Sequence, residues 1–384
     1  MVGALLAAVL AAPAAVRAQD GPGRWRPVGI AYPIYSTLEG VDLNASAGYL
    51  RHLATGRLAT AAQVDLTLRL SSAGTRVVAL AAAVPGLWPR WRVLARVASE
   101  RFARFPYYGI GNDSRRVEAI EDSLGGGYYR YQLLRTTAFV AVQRELRPWL
   151  RLHLAAQARH YRARPRPGES QLAADLAAGR TADSGAGDGL ELRAGVVVDT
   201  RDFEPLPSRG VRLEAVAGRS VAAPYGRSYT RGLLAGAVYL PVGRAVIAVR
   251  EHLELATDRL PFSVMAERLT AWGPADHVGG FATVRASRTG RWLAPERLIV
   301  SAEARIPVQV SVPGRASAVT LWVGPFVDVA RIWGAGEAFA LRQVHGGLGV
   351  QATAQFSRGG TVAVSVGHST DAPLQVLAGT GFAF

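Results

Sequence analysis

Cysteine and lysine are both absent from this chain of 384 residues. Without cysteine, no disulfide can stabilise the fold, so backbone pairing and packing must do so. Without lysine, the formal net charge of +15 comes from arginine alone. A basic balance of this size is compatible with nucleic-acid binding, but the export signal described next favours arginines that line an aqueous lumen or face lipid phosphates. No nucleic-acid partner is therefore expected.

Long apolar runs are also scarce, although 49% of the residues are hydrophobic. Only residues 1–18 form such a run, and it ends in Val16-Arg17-Ala18, a small-x-small arrangement that suits signal peptidase. We predict a signal peptide over residues 1–18. An uncleaved anchor is the alternative, but the run is shorter than the roughly 20 residues that a spanning helix needs. No later segment approaches that length, which excludes a helical membrane protein.

Alternation of apolar and polar residues with a period of two continues along the rest of the chain and is typical of β-strands. In QVDLTLRL, residues 63–70, one valine and three leucines face one way, and the polar residues face the other. About sixteen such runs occur, among them residues 60–72, 127–142 and 244–256, which predicts sixteen strands. Most of these runs have one apolar face and one face of arginine, glutamate, glutamine, threonine and glycine.

The number of strands decides which face points inward. Sixteen strands enclose a lumen too wide for side chains to fill, so the polar face must be the inner one and the apolar face must touch lipid. The long connections all follow odd-numbered predicted strands and therefore fall on one side of the sheet; they are residues 101–126, 164–187 and 257–295. A soluble sandwich or propeller is the alternative, but neither fold requires its long loops to lie on one side. The sequence therefore predicts an all-β fold, a 16-stranded antiparallel transmembrane β-barrel formed by residues 19–384 as one domain.

The two ends of the predicted barrel have features of their own. The final strand, QVLAGTGFAF, places Phe382 and Phe384 on its apolar face and ends on an aromatic residue, as many outer-membrane barrels do. Pro33 in the first strand cannot donate a ladder hydrogen bond, and Gly379 softens the last strand. Because these two strands must pair to close a barrel, we expect the seam between them to be the weakest ladder.

One polar turn, DTRDFEPLPSRG, joins two predicted strands in the middle of the chain. Its proline and glycine are typical of the turn of a hairpin, and its charges would lie at the mouth of the barrel. An ordinary polar turn would also explain this composition. The candidate turn residues are Asp199, Arg201, Asp202, Pro207 and Gly210.

The connection of residues 257–295, called the long connection below, and the two strands after it contain a second set of candidates. The connection is both basic and partly apolar, which is unusual for a solvated loop. In VGPFVDVARIW, alternation places Asp328 on the polar face, opposite three valines, so it should point into the lumen. The candidates in this region are Val284, Arg285 and Arg291 in the connection, and Glu303, Gly324, Phe326 and Asp328 in the strands.

These stretches resemble the barrel of the BamA/TamA superfamily, the surface-antigen class of outer-membrane proteins that also includes two-partner secretion transporters. The polar turn resembles the family's inner turn between mid-barrel strands. TVRAS, around Arg285, resembles its Val-Arg-Gly-Phe/Tyr signature at the tip of the sixth outer loop, with Ala286 and Ser287 in the last two places. VGPFVDVA resembles its Gly-x-Phe-x-Asp-x-Gly strand, with Ala330 as the final residue.

The resemblance implies that the long connection is a lid folded back into the lumen. Its Arg285 would then pair with Asp328 on the inner wall, with Glu303 as a further candidate partner. A guanidinium offers a two-pronged match to a carboxylate, which suits this role. Three solvated loop arginines are the alternative.

The resemblance also implies a bacterial outer-membrane protein that acts in protein or lipid translocation or in outer-membrane assembly. Relatives carry periplasmic POTRA domains before the barrel, and the sequence before the first predicted strand has no room for one, so we expect a member without them. Expected partners are outer-membrane lipid and lipopolysaccharide, the barrel-assembly machinery during biogenesis, and an unidentified client protein or periplasmic partner. The alternative is a passive pore or structural barrel that handles no client.

Enzymatic chemistry is not indicated by the sequence. The seven histidines lie in no recognisable nucleophile motif, although they leave a lipase- or protease-like site open in principle. Metal-ligand spacings and nucleotide-binding loops are absent from the sequence. We predict no catalytic residue, no metal and no cofactor.

Overall fold

A computed structural model of the chain describes residues 23–36, 39–124, 126–181, 185–222, 228–257, 260–273, 275–310, 319–334, 337–355 and 360–380. The predicted signal peptide (1–18) lies outside the described residues, as do Phe382 and Phe384 of the predicted terminal strand.

Sixteen long strands form one antiparallel sheet in which each strand pairs with the next along the chain. They are β1 (Trp25–Ser36), β2 (Gly40–His52), β3 (Thr60–Ser71), β4 (Arg76–Trp88), β5 (Trp91–Pro106), β6 (Arg130–Arg147), β7 (Leu150–Pro165), β8 (Ala186–Asp199), β9 (Gly210–Ala222), β10 (Thr230–Val242), β11 (Ala245–Ala256), β14 (Glu296–Val310), β15 (Val319–Trp333), β16 (His345–Gln355), β17 (Thr361–Ser369) and β18 (Gln375–Thr380). Two short strands, β12 (Glu267–Arg268) and β13 (Ala275–Asp276), pair within the long connection. The predicted all-β fold of sixteen antiparallel strands is confirmed.

Three short helices lie in the three longest connections. They are α1 (Glu118–Ser123), α2 (Gln171–Ala177) and α3 (Phe262–Met265). α2 begins at Ser170, whose hydroxyl accepts a hydrogen bond from the backbone N–H of Ala173 at 3.2 Å. Within the described ranges, no helix has the length and apolarity needed to cross a membrane.

Burial on the two faces of the sheet is the reverse of that in a water-soluble protein. On the apolar face, Leu154 is 63% exposed and Leu348 is 62% exposed. On the polar face, Glu191 and Glu254 are completely buried. Large apolar side chains are normally the ones that folding removes from water. The apolar face therefore needs a nonaqueous environment, and the polar face needs partners for its charges.

The two ends of the sheet differ as well. Connections after the fifth, seventh and eleventh long strands are the longest, and in an antiparallel sheet of sequential strands they all fall at one end, called the loop end here. The opposite end, called the turn end, has mostly short turns. Four exposed tryptophans lie at the turn end: Trp25, Trp88, Trp91 and Trp149. Tryptophan is enriched where a protein surface passes from lipid to water.

Pairing between β14 and β15 is interrupted where Gly324 lies opposite Arg305. The neighbouring Pro325 cannot donate a ladder hydrogen bond, which accounts for part of the gap. The two strands approach so closely that a Cβ atom on Gly324 would overlap the carbonyl oxygen of Ala304. Only glycine fits there without a backbone shift.

We predict that Gly324→Ala destabilises the protein by about 1–3 kcal/mol because β14 and β15 must separate locally. Gly346→Ala is the matched control, since a Cβ atom there would meet only the carbonyl oxygen of Asp328 at 3.9 Å. The free energy of unfolding would be measured by urea titration in detergent, with tryptophan fluorescence as the signal. Equal unfolding midpoints for the two variants would contradict the steric argument.

Candidate functional site

The long connection packs against the polar face of the sheet. From Leu260 to Pro295, only Ala282 and Thr289 are exposed among the described residues of this connection. The three arginines at its centre are not solvated in the way that the alternative requires. Arg285 is fully buried, Arg291 is 7% exposed, and the side chain of Arg288 is 24% exposed.

Arg285 is at the centre of the most connected part of this region. Its Nε and Nη2 atoms donate to the two carboxylate oxygens of Asp328 at 3.0 and 2.8 Å, and its backbone N–H donates to Asp328 Oδ2 at 2.8 Å. Its Nη1 atom donates to Glu303 and, at 3.2 Å, to Gln351 Oε1. The Phe326 ring lies 4.1 Å from the guanidinium carbon, the geometry of a cation–π contact. One guanidinium thus contacts β14, β15 and β16.

The residues on either side of Arg285 fit closely against the same wall. Val284 is buried in an apolar cluster that also contains Trp292 and Ile299. The methyl group of Ala286 lies so close to Gly347 and Gly367 that a Cβ atom on either glycine would come within about 3.0 Å of it. The small residue at position 286 therefore suits the narrow space between the connection and strands β16 and β17.

A second cluster joins the connection to the turn between β17 and β18. Arg291 Nε donates to Asp371 Oδ1 at 2.5 Å, and the Arg288 guanidinium donates to the backbone oxygen of Asp371 at 2.6 Å. Arg291 also donates to the backbone oxygen of Ser114 at 2.8 Å. Arg291, in the long connection, therefore contacts both the β5–β6 connection and the β17–β18 turn at the loop end.

A third cluster, which the sequence analysis did not find, lies in the first half of the connection. Glu267 in β12 accepts a hydrogen bond from Gln157 on β7 at 2.9 Å. Its carboxylate also lies 3.2 Å from Arg159 Nη2 and 3.6 Å from Arg135 Nη1. Arg231, which is also buried, donates to the backbone oxygen of Glu267 at 3.2 Å. The connection is thus bound to β6 and β7 by an acidic residue, as it is bound to β14 and β15 by a basic one.

The residues of the predicted seam lie on the strands at the two ends of the strand order. Pro33 is exposed in β1, opposite Leu43 of β2. Gly379 lies in β18, opposite Ala363 of β17. A Cβ atom on Gly379 would be 2.5 Å from the ring of Phe281 in the long connection, so this glycine permits the ring to lie against β18.

The five candidate turn residues lie together at the turn end. Asp199 is fully buried, and Arg151 on β7, Arg201 and Arg57 all approach its carboxylate within 3.0 Å. Nη1 of Arg92 on β5 donates to both carboxylate oxygens of Glu204 in the same turn, at 2.8 and 2.9 Å. This turn therefore folds across the ends of β5 to β7 and is not an ordinary solvated hairpin.

Local geometry explains the other members of the turn. Burial acts to raise the pKa of Asp202, but hydrogen bonds from the side chain and backbone of Ser208 outweigh it and hold this pKa below its usual range. Gly210 has a φ of +109°, and a Cβ atom there would lie 2.6 Å from the backbone oxygen of Thr200. Pro207 is buried within the turn.

We predict that Arg285→Ala lowers the free energy of unfolding by about 3–5 kcal/mol, because Asp328 stays buried after losing both hydrogen bonds from this guanidinium, whereas Glu303 keeps Arg305. The control is Arg288→Ala: the Arg288 side chain is 24% exposed and Asp371 keeps its pairing with Arg291, so the loss should be at most about 1 kcal/mol. Urea titrations in detergent would compare the two variants with the unmodified chain. If both variants lost the same small amount, the buried cluster would not stabilise the connection.

Comparison with known proteins agrees with this architecture. The fold is similar to that of BamA from Haemophilus ducreyi lacking POTRA domains 1–3, with a TM-score of 0.56, 13% identity, and coverage of 96% of this chain and 74% of that one. It is also similar to CdiB from Escherichia coli, with a TM-score of 0.58, 12% identity, and coverage of 95% and 63%. At these identities the likeness shows the fold alone. No curated protein sequence matches the chain.

A protein-family match identifies the superfamily. Residues 112–367, more than half of the chain, match the Omp85 superfamily domain. This stretch includes the long connection and all the strands that contact Arg285. The predicted family resemblance is therefore confirmed, and this chain belongs to the Omp85 superfamily.

Proposed function

We propose that this chain is a bacterial outer-membrane β-barrel that translocates or inserts polypeptide clients, with the long connection as a lid inside its lumen. One observation supports this above all: the polar face of the sheet is buried against the long connection, while the apolar face is exposed. A lipid-facing exterior and a filled hydrophilic interior produce this pattern. The division into a signal peptide, residues 1–18, and a barrel domain, residues 19–384, is part of the proposal.

Contacts of the long connection support closure of the sheet into a barrel. The ring of His277 lies 4.9 Å from that of Phe105 on β5, measured between centroids. Four residues later, Phe281 packs against Gly379 on β18. Strands far apart in the strand order therefore flank one short segment. Curvature of the sheet around that segment accounts for these contacts, and it supports the proposed barrel with an occupied lumen.

Opposed anchors would keep such a lid in place. Arg285 is bound to Asp328 and Glu303 on one wall, and Glu267 is bound to Arg159 and Arg135 on the other. Displacing the lid would expose both groups of charges at once. Water entering the lumen would compensate for this cost, so the lid can open only as the pore hydrates.

The seam between β1 and β18 is the proposed site of client handling. β1 contains Pro33, which cannot donate a ladder hydrogen bond, and β18 contains Gly379, which has no side chain to pack across the strands. A ladder interrupted in this way is the easiest one to separate. Transient opening there would give a client strand unpaired backbone groups to bind.

A passive pore or structural barrel is the second candidate function. It explains the same lipid-facing surface and the same lid but gives no role to a weak seam. A client in contact with the seam distinguishes the two candidates. The proposed role is not enzymatic under either one, and its expected partners are an unidentified client or periplasmic protein and, during biogenesis, the barrel-assembly machinery.

Loosening both anchors should open the lumen. We predict that the double variant Glu267→Ala/Arg285→Ala raises single-channel conductance severalfold in planar lipid bilayers, because neither wall then fixes the connection. Arg288→Ala should leave the conductance unchanged. An unaltered conductance in a double variant that still shows native tryptophan fluorescence would show that the connection does not block the pore.

Client handling can be tested by photo-crosslinking in living cells. We expect a photoreactive residue at Pro33 or Val376, near the seam, to form crosslinks to polypeptides in transit. The matched control is Val249 on β11, which is 40% exposed on the same apolar face, far from the seam. Crosslinks at neither seam position, or equally at all three positions, would favour the passive pore.

A further inference from the structure

Four exposed arginines lie on the apolar face of the sheet near the loop end. Arg76 on β4 is directly opposite Arg101 on β5. Arg101 is opposite Leu134 on β6, which is in turn opposite Arg162 on β7. Arg164 follows two residues later on the same face of β7. The four side chains therefore form one basic patch across four neighbouring strands, called the arginine patch below.

The arginine patch has no acidic partner within the protein. Among the described residues, no carboxylate lies within 4.0 Å of any of its four guanidinium groups. Glu100, next to Arg101 in sequence, points to the polar face, where it binds Arg135 at 2.6 Å. Asp188 on the same apolar face pairs with His160 at 2.6 Å. Like charges directly opposite each other in a sheet are destabilising, so Arg76 and Arg101 call for an anion from outside the chain.

The height of the patch identifies where that anion would be. A barrel strand crosses the apolar part of a bilayer in about 9–11 residues. Counting from the tryptophan at the turn end, Arg101 is ten residues beyond Trp91, and Arg76 is twelve residues before Trp88. The arginines thus lie at the opposite boundary of the lipid-facing band, where headgroups begin. Their aliphatic stems can cover apolar surface while the charges reach the headgroups.

The patch lies on one flank of the sheet. Elsewhere near the loop end, the apolar face of β9 carries one exposed arginine, Arg219, which lies opposite Leu192 and Thr230 and has no arginine beside it. The apolar face of β14 there carries Leu298 and that of β16 carries Leu348, both uncharged. A general requirement for basic residues at the membrane boundary would distribute them around the whole sheet. Concentration on β4 to β7 indicates a particular site.

We propose that the arginine patch binds the phosphate groups of an anionic glycolipid in the leaflet at the loop end. A planar guanidinium binds phosphate through two parallel hydrogen bonds, and it stays charged at any physiological pH. The apolar strand surface next to the patch would contact the acyl chains of the same molecule. This inference rests on the proposed membrane-spanning function, because it takes the exposed apolar face to be lipid-facing.

The test compares two quadruple variants of the full chain with the same loss of charge. Arg76→Gln/Arg101→Gln/Arg162→Gln/Arg164→Gln removes the patch, and Arg90→Gln/Arg147→Gln/Arg209→Gln/Arg244→Gln removes four exposed arginines at the turn end. The probe is a bisphosphorylated glucosamine-disaccharide lipid (lipid A), and its binding would be measured by native mass spectrometry from detergent. Phosphatidylcholine and inorganic phosphate are the comparison ligands.

We expect the patch variant to bind lipid A at least about tenfold more weakly than the unmodified chain, and the turn-end variant to bind it normally. Inorganic phosphate should not compete, since it lacks the acyl chains. Equal binding by both variants, or binding of phosphatidylcholine as tight as that of lipid A, would overturn the proposal. The proposal would also be overturned if the patch variant bound lipid A normally but lost an associated protein.

Membrane insertion is measured separately, by quenching of the exposed tryptophans with brominated lipids. If the tryptophans are quenched but the patch variant binds lipid A as well as the unmodified chain does, the glycolipid site is contradicted and the barrel proposal stays intact. Absence of quenching in the unmodified chain would contradict the membrane-spanning function itself, and the glycolipid site with it.

Discussion

A buried guanidinium must have carboxylates around it, and this requirement organises the polar face of the sheet. Arg231 on β10 is 1% exposed and binds Glu191 on β8 at 3.0 Å and Glu254 on β11 at 3.2 Å. A charge without such partners would cost several kcal/mol in a nonaqueous interior. Both pairings of Arg231 cross from one strand to another, and the same guanidinium binds the backbone oxygen of Glu267, so contacts that neutralise charge also fix strands and the long connection. The exclusive use of arginine suits this arrangement, because one guanidinium can serve two carboxylates.

Alternation of period two was sufficient to predict the sheet, since a sheet with one apolar and one polar face imposes it on every strand. The predicted strand at residues 60–72 corresponds to Thr60–Ser71, and that at residues 244–256 corresponds to Ala245–Ala256. The strand predicted at residues 127–142 begins instead at Arg130 and continues to Arg147. Its start was misplaced because Tyr129, which continues the apolar pattern, belongs to the first long connection, where its hydroxyl accepts a hydrogen bond from the backbone of Val117.

The candidate site could be predicted only where a residue lay in a strand or matched a family pattern. Alternation placed Asp328 on the polar face, and the resemblance pointed to Arg285, which contacts Asp328 in the structure. Glu267 carried no such signal. It lies in a two-residue strand without periodicity, and its partner Gln157 is 110 residues away in the sequence. Asp371 was missed for the same reason, because a turn residue shows its role only when the long connection is packed against it.

Charge complementarity gives the long connection one orientation against the polar face of the sheet. Its acidic residue, Glu267, meets Arg135 and Arg159, and its basic residue, Arg285, meets Asp328 and Glu303. A reversed connection would set carboxylate against carboxylate on one wall and guanidinium against guanidinium on the other. Juxtaposed like charges cost several kcal/mol, so the wrong arrangement is excluded more strongly than the right one is favoured. The two walls therefore do more than retain the connection: their opposite charges select the orientation in which Phe281 reaches Gly379 on the final strand.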